Sequence, residues 1–259
     1  MPTCHLAHRA LMRLSGPDVR PFLQGQITHD MALLAPDRPL YAGLLSPQGK
    51  ALFQLFLFAD GDDVLLDVAA AQADALAKRL LMFRLRRQVA IEAEAGLAVF
   101  QGWGEPSDRP ADPRLPEAGH RFIGPPAAGD ATLEDWHARR LSLGLPDADE
   151  IGQDELLWLE TNARELDGVS FTKGCYTGQE NTARMHHRDR VRKRLLPLRL
   201  AGEGAEDAPV MAGERVAGSL RGRRHGELQM ALLRTEQLGE PLTVAGAPAH
   251  LVRPGWLQD

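Results

Sequence analysis

The chain of 259 residues is long enough for one large domain and a small one, or for two moderate domains, and its 44% hydrophobic content suffices for an ordinary core. A net charge of −5 gives no overall case for a nucleic-acid-binding protein. Two cysteines, Cys4 and Cys175, are too few for the disulfide framework of a typical secreted protein and predict a reducing, intracellular location.

The N-terminal part of the chain predicts strands and helices in alternation. Residues 1–19 contain neither a long apolar core nor a small-residue cleavage site, and no apolar run approaches about 20 residues. We therefore predict a soluble protein in the cytoplasm, or in an organelle matrix if a transit peptide has been removed. The predicted elements are a strand at 8–16, a short helix at 16–26, two apolar strands joined by Ser-Pro-Gln-Gly at 39–58, a strand at 62–68 and a helix at 70–84.

Two of these elements carry a burial prediction. The second strand of the hairpin is nearly all apolar, which indicates burial on both of its faces. In the helix, one face carries the apolar positions. They are Ala73, Leu76, Ala77, Leu80 and Leu81.

The second half of the chain predicts a loop, a capped helix and a small barrel. Four prolines among glycines at 102–119 indicate a long surface loop. Thr132, followed three residues later by Asp135, is typical of a capping box that begins a helix. From Arg194 onward, short apolar runs are separated by turn residues at close spacing, which predicts a small β-barrel with a loop at 201–209.

Charge is distributed unevenly between two segments. Residues 130–167 hold 11 acidic residues and three arginines, whereas residues 184–194 hold six Arg or Lys, two His and one Asp. The basic segment is either a solvated face that pairs with the acidic one or a cradle for an anionic ligand, since arginine binds carboxylate and phosphate in a bidentate way.

The sequence FTKGCYTGQE at 171–180 places a cysteine between two glycines, beside a lysine, an aromatic ring, a glutamine and a glutamate. Residues 168–171 predict a strand and residues 177–187 a helix, so Cys175 lies on the connection between them. A helix start and the nearby Lys173 both favour a thiolate. A cysteine is also often a buried small hydrophobe, so the spacing alone leaves a structural role open.

A metal site at this turn is a further alternative. His186 and His187 lie on the following helix and could join Cys175, but adjacent helical residues point in different directions. The chain contains no CxxC, GxGxxG, P-loop or GxSxG motif.

The segment KGCYTGQE resembles the signature of the YgfZ family of folate-binding proteins, which are relatives of the glycine cleavage T-protein, an aminomethyltransferase. FLQGQITHD at 22–30, the hairpin at 41–58 and the segments RRLSLGLPDADEI, LLWLETN and VSFTKGCYTGQENTARMHHRDRVRKRLLPL follow in that family's order. The resemblance therefore covers most of the chain.

This resemblance implies an α+β fold, with a T-protein-like folate-binding domain in a ring-like arrangement followed by a small C-terminal β-barrel. The domains would span residues 1–194, which could contain two subdomains, and residues 195–259. The implied cofactor is tetrahydrofolate or a derivative, and the implied reactive thiol is Cys175. The implied cofactor-binding residues are Lys173, Gly174, Tyr176, Gly178, Gln179, Glu180 and Arg184; no metal ligand is implied.

Two departures from the T-protein pattern concern its acidic residues. Phe53 and Gln54 stand where the T-protein hairpin reaches a catalytic aspartate, which argues against aminomethyl transfer. Ser142 aligns with a glutamate that would bind the pterin edge, and Glu160 or Glu180 could supply that carboxylate instead.

Three functions remain to be compared. The resemblance favours a tetrahydrofolate-binding accessory protein for iron–sulfur cluster assembly or repair, acting on cluster-dependent enzymes that include tRNA-modifying ones. The alternatives are an active folate-dependent aminomethyltransferase and an RNA-binding module built on residues 184–194. The first function predicts iron–sulfur client enzymes or assembly factors as partners of a monomer, without membrane or direct nucleic-acid binding. It also predicts that iodoacetamide modifies Cys175 faster than Cys4.

Overall fold

The computed structural model describes residues 1–188 and 191–258, which form a mixed α/β body followed by a barrel. The strands of the body are β1 (Thr3–His5), β2 (Arg9–Ser15), β3 (Leu40–Leu45), β4 (Ala51–Asp60), β5 (Asp63–Ala69), β6 (Ala90–Glu94), β7 (Ala98–Gly102) and β8 (His120–Gly124). Its helices are α1 (Val19–Gln24), α2 (Ala73–Arg84), α3 (Leu133–Ser142), α4 (Ala148–Ile151) and α5 (Gln179–His187). The barrel contains β9 (Lys193–Leu200), β10 (Pro209–Ala212), β11 (Arg215–His225), β12 (Leu228–Arg234), β13 (Leu242–Val244) and β14 (Ala247–Leu251).

The largest sheet of the body has five strands in the order β3-β4-β5-β2-β6, all antiparallel. Its first two strands form the β3–β4 hairpin, which confirms the prediction at 39–58. The prediction that β4 is buried on both faces is also confirmed, because Phe56 packs in one hydrophobic cluster while Phe53 and Leu55 pack in another. The sheet therefore has a core on each side, and helix α2 covers one of them.

The predicted helix at 70–84 begins with a 3₁₀ turn at Ala70–Gln72 and continues as α2. Leu76 and Leu80 are fully buried, as the apolar spacing predicts. The prediction for Leu81 is wrong, since 46% of this residue is exposed. The buried face of this short helix therefore includes fewer of the apolar positions than the sequence pattern predicts.

The predicted capping box begins α3. Thr132 Oγ1 accepts a hydrogen bond from the Asp135 backbone N–H at 3.1 Å, and the Asp135 carboxylate accepts from the Thr132 N–H at 2.9 Å. A second, three-stranded sheet has the order β1-β7-β8. Trp136 on α3 is 1% exposed and packs in the hydrophobic cluster that includes Cys4 and Val99 of this sheet. The predicted loop at 102–119 connects β7 to β8 and contains a 3₁₀ turn at Pro116–Ala118.

The C-terminal strands close into a barrel in the order β10-β11-β12-β9-β14-β13. A separate hydrophobic cluster fills it, including Leu196, Leu198 and Leu220. The predicted α+β class with a C-terminal β-barrel is thus confirmed, while the boundary between residues 194 and 195 stays a prediction. Among the residues that the structure describes, no helix combines the length and apolar character of a membrane span.

Candidate functional site at the Cys175 turn

Cys175 lies exposed on the connection that leads into α5, and it forms no disulfide. Its neighbours on either side are anchored in the protein: Lys173 is 7% exposed and Tyr176 is 8% exposed. The Lys173 ammonium lies 5.1 Å from the centre of the Tyr176 ring. Burial raises the pKa of the Tyr176 hydroxyl to about 12. The thiol is therefore presented to solvent from a turn whose flanking side chains point inward.

Lys173 holds this turn against the segment that follows α1. Its Nζ donates to the backbone carbonyls of Gln24, Ile27 and His29 at 2.6, 2.7 and 2.8 Å. An ammonium group has three hydrogens, and these three acceptors use all of them. Burial lowers the pKa of Lys173 to about 8. The structure thus gives Lys173 an anchoring role, and its hydrogens are not available to the Cys175 sulfur.

The predicted strand at 168–171 is wrong, because these residues form no ladder. Thr28 fixes them instead: its Oγ1 donates to the Gly168 carbonyl at 2.6 Å, and its own carbonyl accepts from the Ser170 N–H at 3.0 Å. Trp158 Nε1 also donates to the Gly168 carbonyl, at 2.9 Å. Side-chain and isolated backbone hydrogen bonds therefore take the place of the predicted strand pairing.

The start of α5 packs onto the turn of the β3–β4 hairpin. Gly178 caps the helix with φ of +84°, and a β-carbon there would lie 2.5 Å from the Ser46 carbonyl oxygen. Asn181 Nδ2 donates to the Gln48 carbonyl at 2.9 Å. Thr182 is 3% exposed, and its Oγ1 donates back to the Gly178 carbonyl. Three segments distant in sequence, 24–30, 46–50 and 168–182, thus form one platform beneath Cys175, which we call the thiol platform.

The residues predicted to bind a cofactor fall into two groups on this platform. Lys173, Tyr176 and Gly178 serve the internal packing described above. Gly174, Glu180 and Arg184 are exposed, and Gln179 is half-buried. Arg184 donates to Asn181 Oδ1 at 2.9 Å. The exposed group lies with Cys175 on one short segment of surface.

The histidines of α5 do not assemble a metal site with Cys175. His186 stacks on the Phe171 ring at a centroid distance of 3.7 Å. The planes of the His186 and His187 rings differ by 58°. Among the described residues, no three His, Cys, Asp or Glu side chains come together as metal ligands. Cys175 can therefore supply one thiolate to a metal centre, but the described part of the chain does not complete such a centre.

Sequence reasoning missed a buried charge network beside Gln54. Asp67, on β5, is fully buried and accepts from Arg9 Nε at 2.6 Å and from Arg121 Nε at 2.8 Å. Arg9 also donates to Asp147 at 3.1 Å. Although burial opposes its ionisation, His8 and Arg9 hold the pKa of Asp147 well below its usual range. These ion pairs join distant segments, so nothing in the local sequence marks them.

Gln54 is part of the same interior. Its Nε2 donates to Tyr41 Oη at 3.2 Å and to the Pro146 carbonyl at 3.0 Å. Its Oε1 accepts from Arg9 Nη1 at 3.5 Å, and the Asp67 carboxylate beyond Arg9 already neutralises two guanidinium groups. The hairpin position that holds an acid in the T-protein pattern therefore holds a buried structural amide here.

The other positions considered for the pterin-binding carboxylate are Ser142, Glu160 and Glu180. Ser142 is exposed at the end of α3, and its Oγ donates to the Arg139 carbonyl at 2.7 Å. Glu160 accepts from the Leu157 N–H at 3.0 Å, and burial raises the pKa of its carboxyl group. Glu180 is exposed in the first turn of α5.

The basic segment 184–194 is described only in part, since Asp189 and Arg190 lie outside the described residues. At its end, Arg194 donates to Glu165 Oε1 at 2.9 Å and to Asn162 Oδ1 at 3.2 Å. Pairing with the acidic segment is therefore observed at this position. Whether the segment also binds an anion stays a prediction.

Comparison of the whole fold identifies its class. The crystal structure of glycine cleavage system aminomethyltransferase T from Bartonella henselae matches with a TM-score of 0.76, covering 98% of this chain and 86% of that chain at 16% identity. A family model described as the C-terminal β-barrel domain of CAF17 matches residues 192–259. The molecule is thus a protein of the aminomethyltransferase fold with a CAF17-type barrel, and the predicted T-protein-like fold is confirmed.

Sequence comparison then identifies the family. The mitochondrial iron–sulfur cluster assembly factor IBA57 of Mus musculus is 33% identical over 96% of this chain and 82% of its own length. The human protein of the same name is 32% identical over 91% of this chain and 78% of its own length. This chain belongs to the IBA57 family of iron–sulfur cluster assembly factors.

The predicted cytoplasmic location is wrong by this comparison, because the relatives are named as mitochondrial proteins. The prediction rested on the low cysteine count and on the lack of a visible signal peptide or long apolar run. A few free thiols indicate a reducing compartment, but they do not distinguish the cytoplasm from the interior of an organelle.

Proposed function

We propose that this protein is an accessory factor of iron–sulfur cluster assembly and that the Cys175 thiol is its chemically active group. The observation that carries the proposal is the display of this thiol: it is exposed, while the neighbouring Lys173 is fixed by buried hydrogen bonds to the carbonyls of Ile27 and His29. The second cysteine, Cys4, is 1% exposed, and burial raises the pKa of its thiol to about 11. Membership of a family of assembly factors supplies the chemical context.

The arrangement supports a role with the cluster as cargo held between two proteins. A thiolate is the usual protein ligand of iron–sulfur clusters, which commonly need four such ligands. Cys175 provides one, and the described residues offer no group of three ligands beside it. The remaining ligands would come from the protein that donates or receives the cluster. A rigid turn suits this role, because it holds the sulfur in place without enclosing it.

The test is complementation of cells that lack their own copy of the protein, scored by the activity of a cluster-dependent enzyme. Cys175→Ser preserves shape but replaces a soft sulfur ligand with a hard oxygen, so we expect loss of rescue at normal protein abundance. Thr172→Ala, at an exposed neighbour on the same turn, is the matched control and should rescue. Full rescue by Cys175→Ser would show that the sulfur is dispensable.

Folate binding, inferred from the resemblance to the YgfZ family, stays a separate prediction. At the predicted contacts the fit is incomplete: the hydrogens of Lys173 are used by carbonyls, and Gly178 is closed off by the hairpin. Gln179, Glu180 and Arg184 remain as polar groups that a pterin or a glutamate tail could reach. Titration calorimetry with tetrahydrofolate tests this prediction, and effects on tRNA-modifying enzymes would follow from the cluster role in either case.

A further inference from the structure

Helix α2 ends in an unusual group of exposed apolar side chains. Of the six large hydrophobic residues that are exposed in the described part of the chain, four lie within residues 81–85. Leu81, Met82, Phe83 and Leu85 are 46%, 70%, 37% and 83% exposed. Single exposed hydrophobics are ordinary, but a contiguous cluster marks an interaction site.

The core of the protein does not account for this cluster. The inward face of α2 is already supplied by Leu76 and Leu80, which are fully buried. Leu85 follows the helix with φ of +52°, a conformation that glycine or asparagine adopts far more readily than leucine. A leucine at this position is therefore both strained and exposed, and neither property helps the isolated chain to fold.

The same stretch is strongly basic. Residues 75–91 contain Lys78, Arg79, Arg84, Arg86 and Arg87 and no acidic residue, in a chain whose net charge is −5. Arg79 lies over the Phe83 ring at 4.9 Å, and Arg84 donates to the Val89 carbonyl at 2.9 Å. Lys78, Arg86 and Arg87 are exposed, and no carboxylate among the described residues pairs with them.

We propose that the surface of residues 78–87, which we call the α2 surface, docks a partner protein that presents an apolar pocket rimmed by carboxylates. Apolar anchors such as Met and Phe together with arginine are the composition that protein interfaces favour. The positive charge specifies the partner, because like charges across an interface are costly. An acidic rim complements the three unpaired cations.

Charge also argues against two alternative occupants of the α2 surface, a second copy of this chain and an anionic membrane. A two-fold contact with a second copy would set the α2 surface against itself and bring ten positive charges together. An anionic bilayer is an extended plane, and it would meet Asp18, whose carboxylate accepts from the Gln88 N–H at 2.7 Å, and Glu92 on the adjacent edge strand. A partner protein needs acidity only where the basic side chains stand.

Contacts through Leu45 link the α2 surface to the thiol platform. The docking proposal rests on the proposed function, because the docked partner would be the protein that shares the cluster with Cys175. Arg79 Nη2 donates to the Leu45 carbonyl at 3.5 Å, and a β-carbon on Gly178 would lie 2.9 Å from Leu45 Cβ. From Arg79 to Arg84, where α2 ends, the helix rises by about 7.5 Å, and Leu85 follows directly. An interface of ordinary size is roughly 30 Å across. We infer that a single partner extends from the α2 surface toward Cys175.

The experiment places a photoreactive benzophenone amino acid at Met82 in the full chain, expressed in cells that lack their own copy. The same group at Val216, which is 55% exposed on the barrel, is the control. We expect a crosslink from position 82, and not from position 216, to a protein with an acidic surface. Arg86→Glu with Arg87→Glu should lower its yield about tenfold, and reversing the partner's acidic residues should restore it. A crosslink yield that is unchanged by Arg86→Glu with Arg87→Glu would overturn the proposal.

Further outcomes separate the alternatives. A crosslink to a second copy, no crosslink, or co-sedimentation of the purified protein with phosphatidylserine vesicles without a protein crosslink would each contradict acidic-partner docking. Met82→Asp with Leu85→Asp should lose rescue in the complementation assay, and full rescue would refute the proposal. The Cys175→Ser chain keeps the α2 surface, so its crosslink should persist. If that variant crosslinks normally and also rescues, the thiol proposal fails and docking stands.

Discussion

Replacement of Lys173 by methionine should loosen the turn that presents Cys175. Methionine fills similar space but offers no hydrogens to the carbonyls of Gln24, Ile27 and His29. The bonds to Ile27 and His29 are buried, and a buried acceptor without a partner costs about 1–3 kcal/mol. Two such acceptors cost about 2–6 kcal/mol, and relief of the buried ammonium offsets several kcal/mol of this.

We therefore expect Lys173→Met to lower the free energy of unfolding by up to about 3 kcal/mol, measured by urea titration at neutral pH. Lys50→Met is the matched control: Lys50 Nζ donates to one carbonyl, that of Asp154, at 3.1 Å in an exposed position. Its loss should stay within about 0.5 kcal/mol. The alkylation rate of Cys175 should change in the Lys173 variant alone. If both variants lose equally little stability, water replaces the lysine at the carbonyls and the anchoring argument is wrong.

Three further predictions use the same interior. Gly178→Ala should lower the free energy of unfolding by about 2–4 kcal/mol in a urea titration, because the positive φ and the nearby Ser46 carbonyl both disfavour a methyl group. The control Gly61→Ala, with positive φ but open space around it, should cost about 1 kcal/mol, and equal losses in the two variants would contradict the prediction. Burial, with Arg140 and His225, lowers the pKa of His137 from 6.5 to about 3. The unfolded chain binds this proton first as pH falls, so stability should drop between pH 6.5 and 3, and less steeply in His137→Gln; identical pH profiles would refute it. Iodoacetamide should modify Cys175 before Cys4, since with a pKa of about 11 roughly one Cys4 thiol in a thousand is ionised at pH 8; equal labelling by mass spectrometry would contradict the burial argument.

Local patterns predicted the elements that local forces form. The Thr132–Asp135 capping box, the apolar hairpin strands and the C-terminal barrel were all visible in the sequence, because caps, alternation and turn residues act over a few positions. Residues 168–171, Gly-Val-Ser-Phe, were predicted as a strand, but their sequence does not show whether a neighbouring strand pairs with them. Thr28 and Trp158 provide that context from distant segments.

The candidate site was predicted at the right segment but with different roles for some residues. The motif marked Cys175, and its position on a connection with an exposed side chain agrees with the structure. Lys173 was expected to act on the thiol, because sequence proximity suggests contact. Its long side chain instead turns inward to carbonyls about 145 positions away, which no local pattern reveals.

The most direct measurement of the central claim is the alkylation of Cys175 inside cells that depend on this protein. Cells grown with ample iron or depleted of it are treated with iodoacetamide without exposure to oxygen, and the modified fraction of Cys175 is measured by mass spectrometry. A sulfur bound to cluster iron is not free to react, so the account predicts strong protection with iron and loss of protection without it. Equal modification of Cys175 in both conditions would contradict the claim that this thiol handles the cluster.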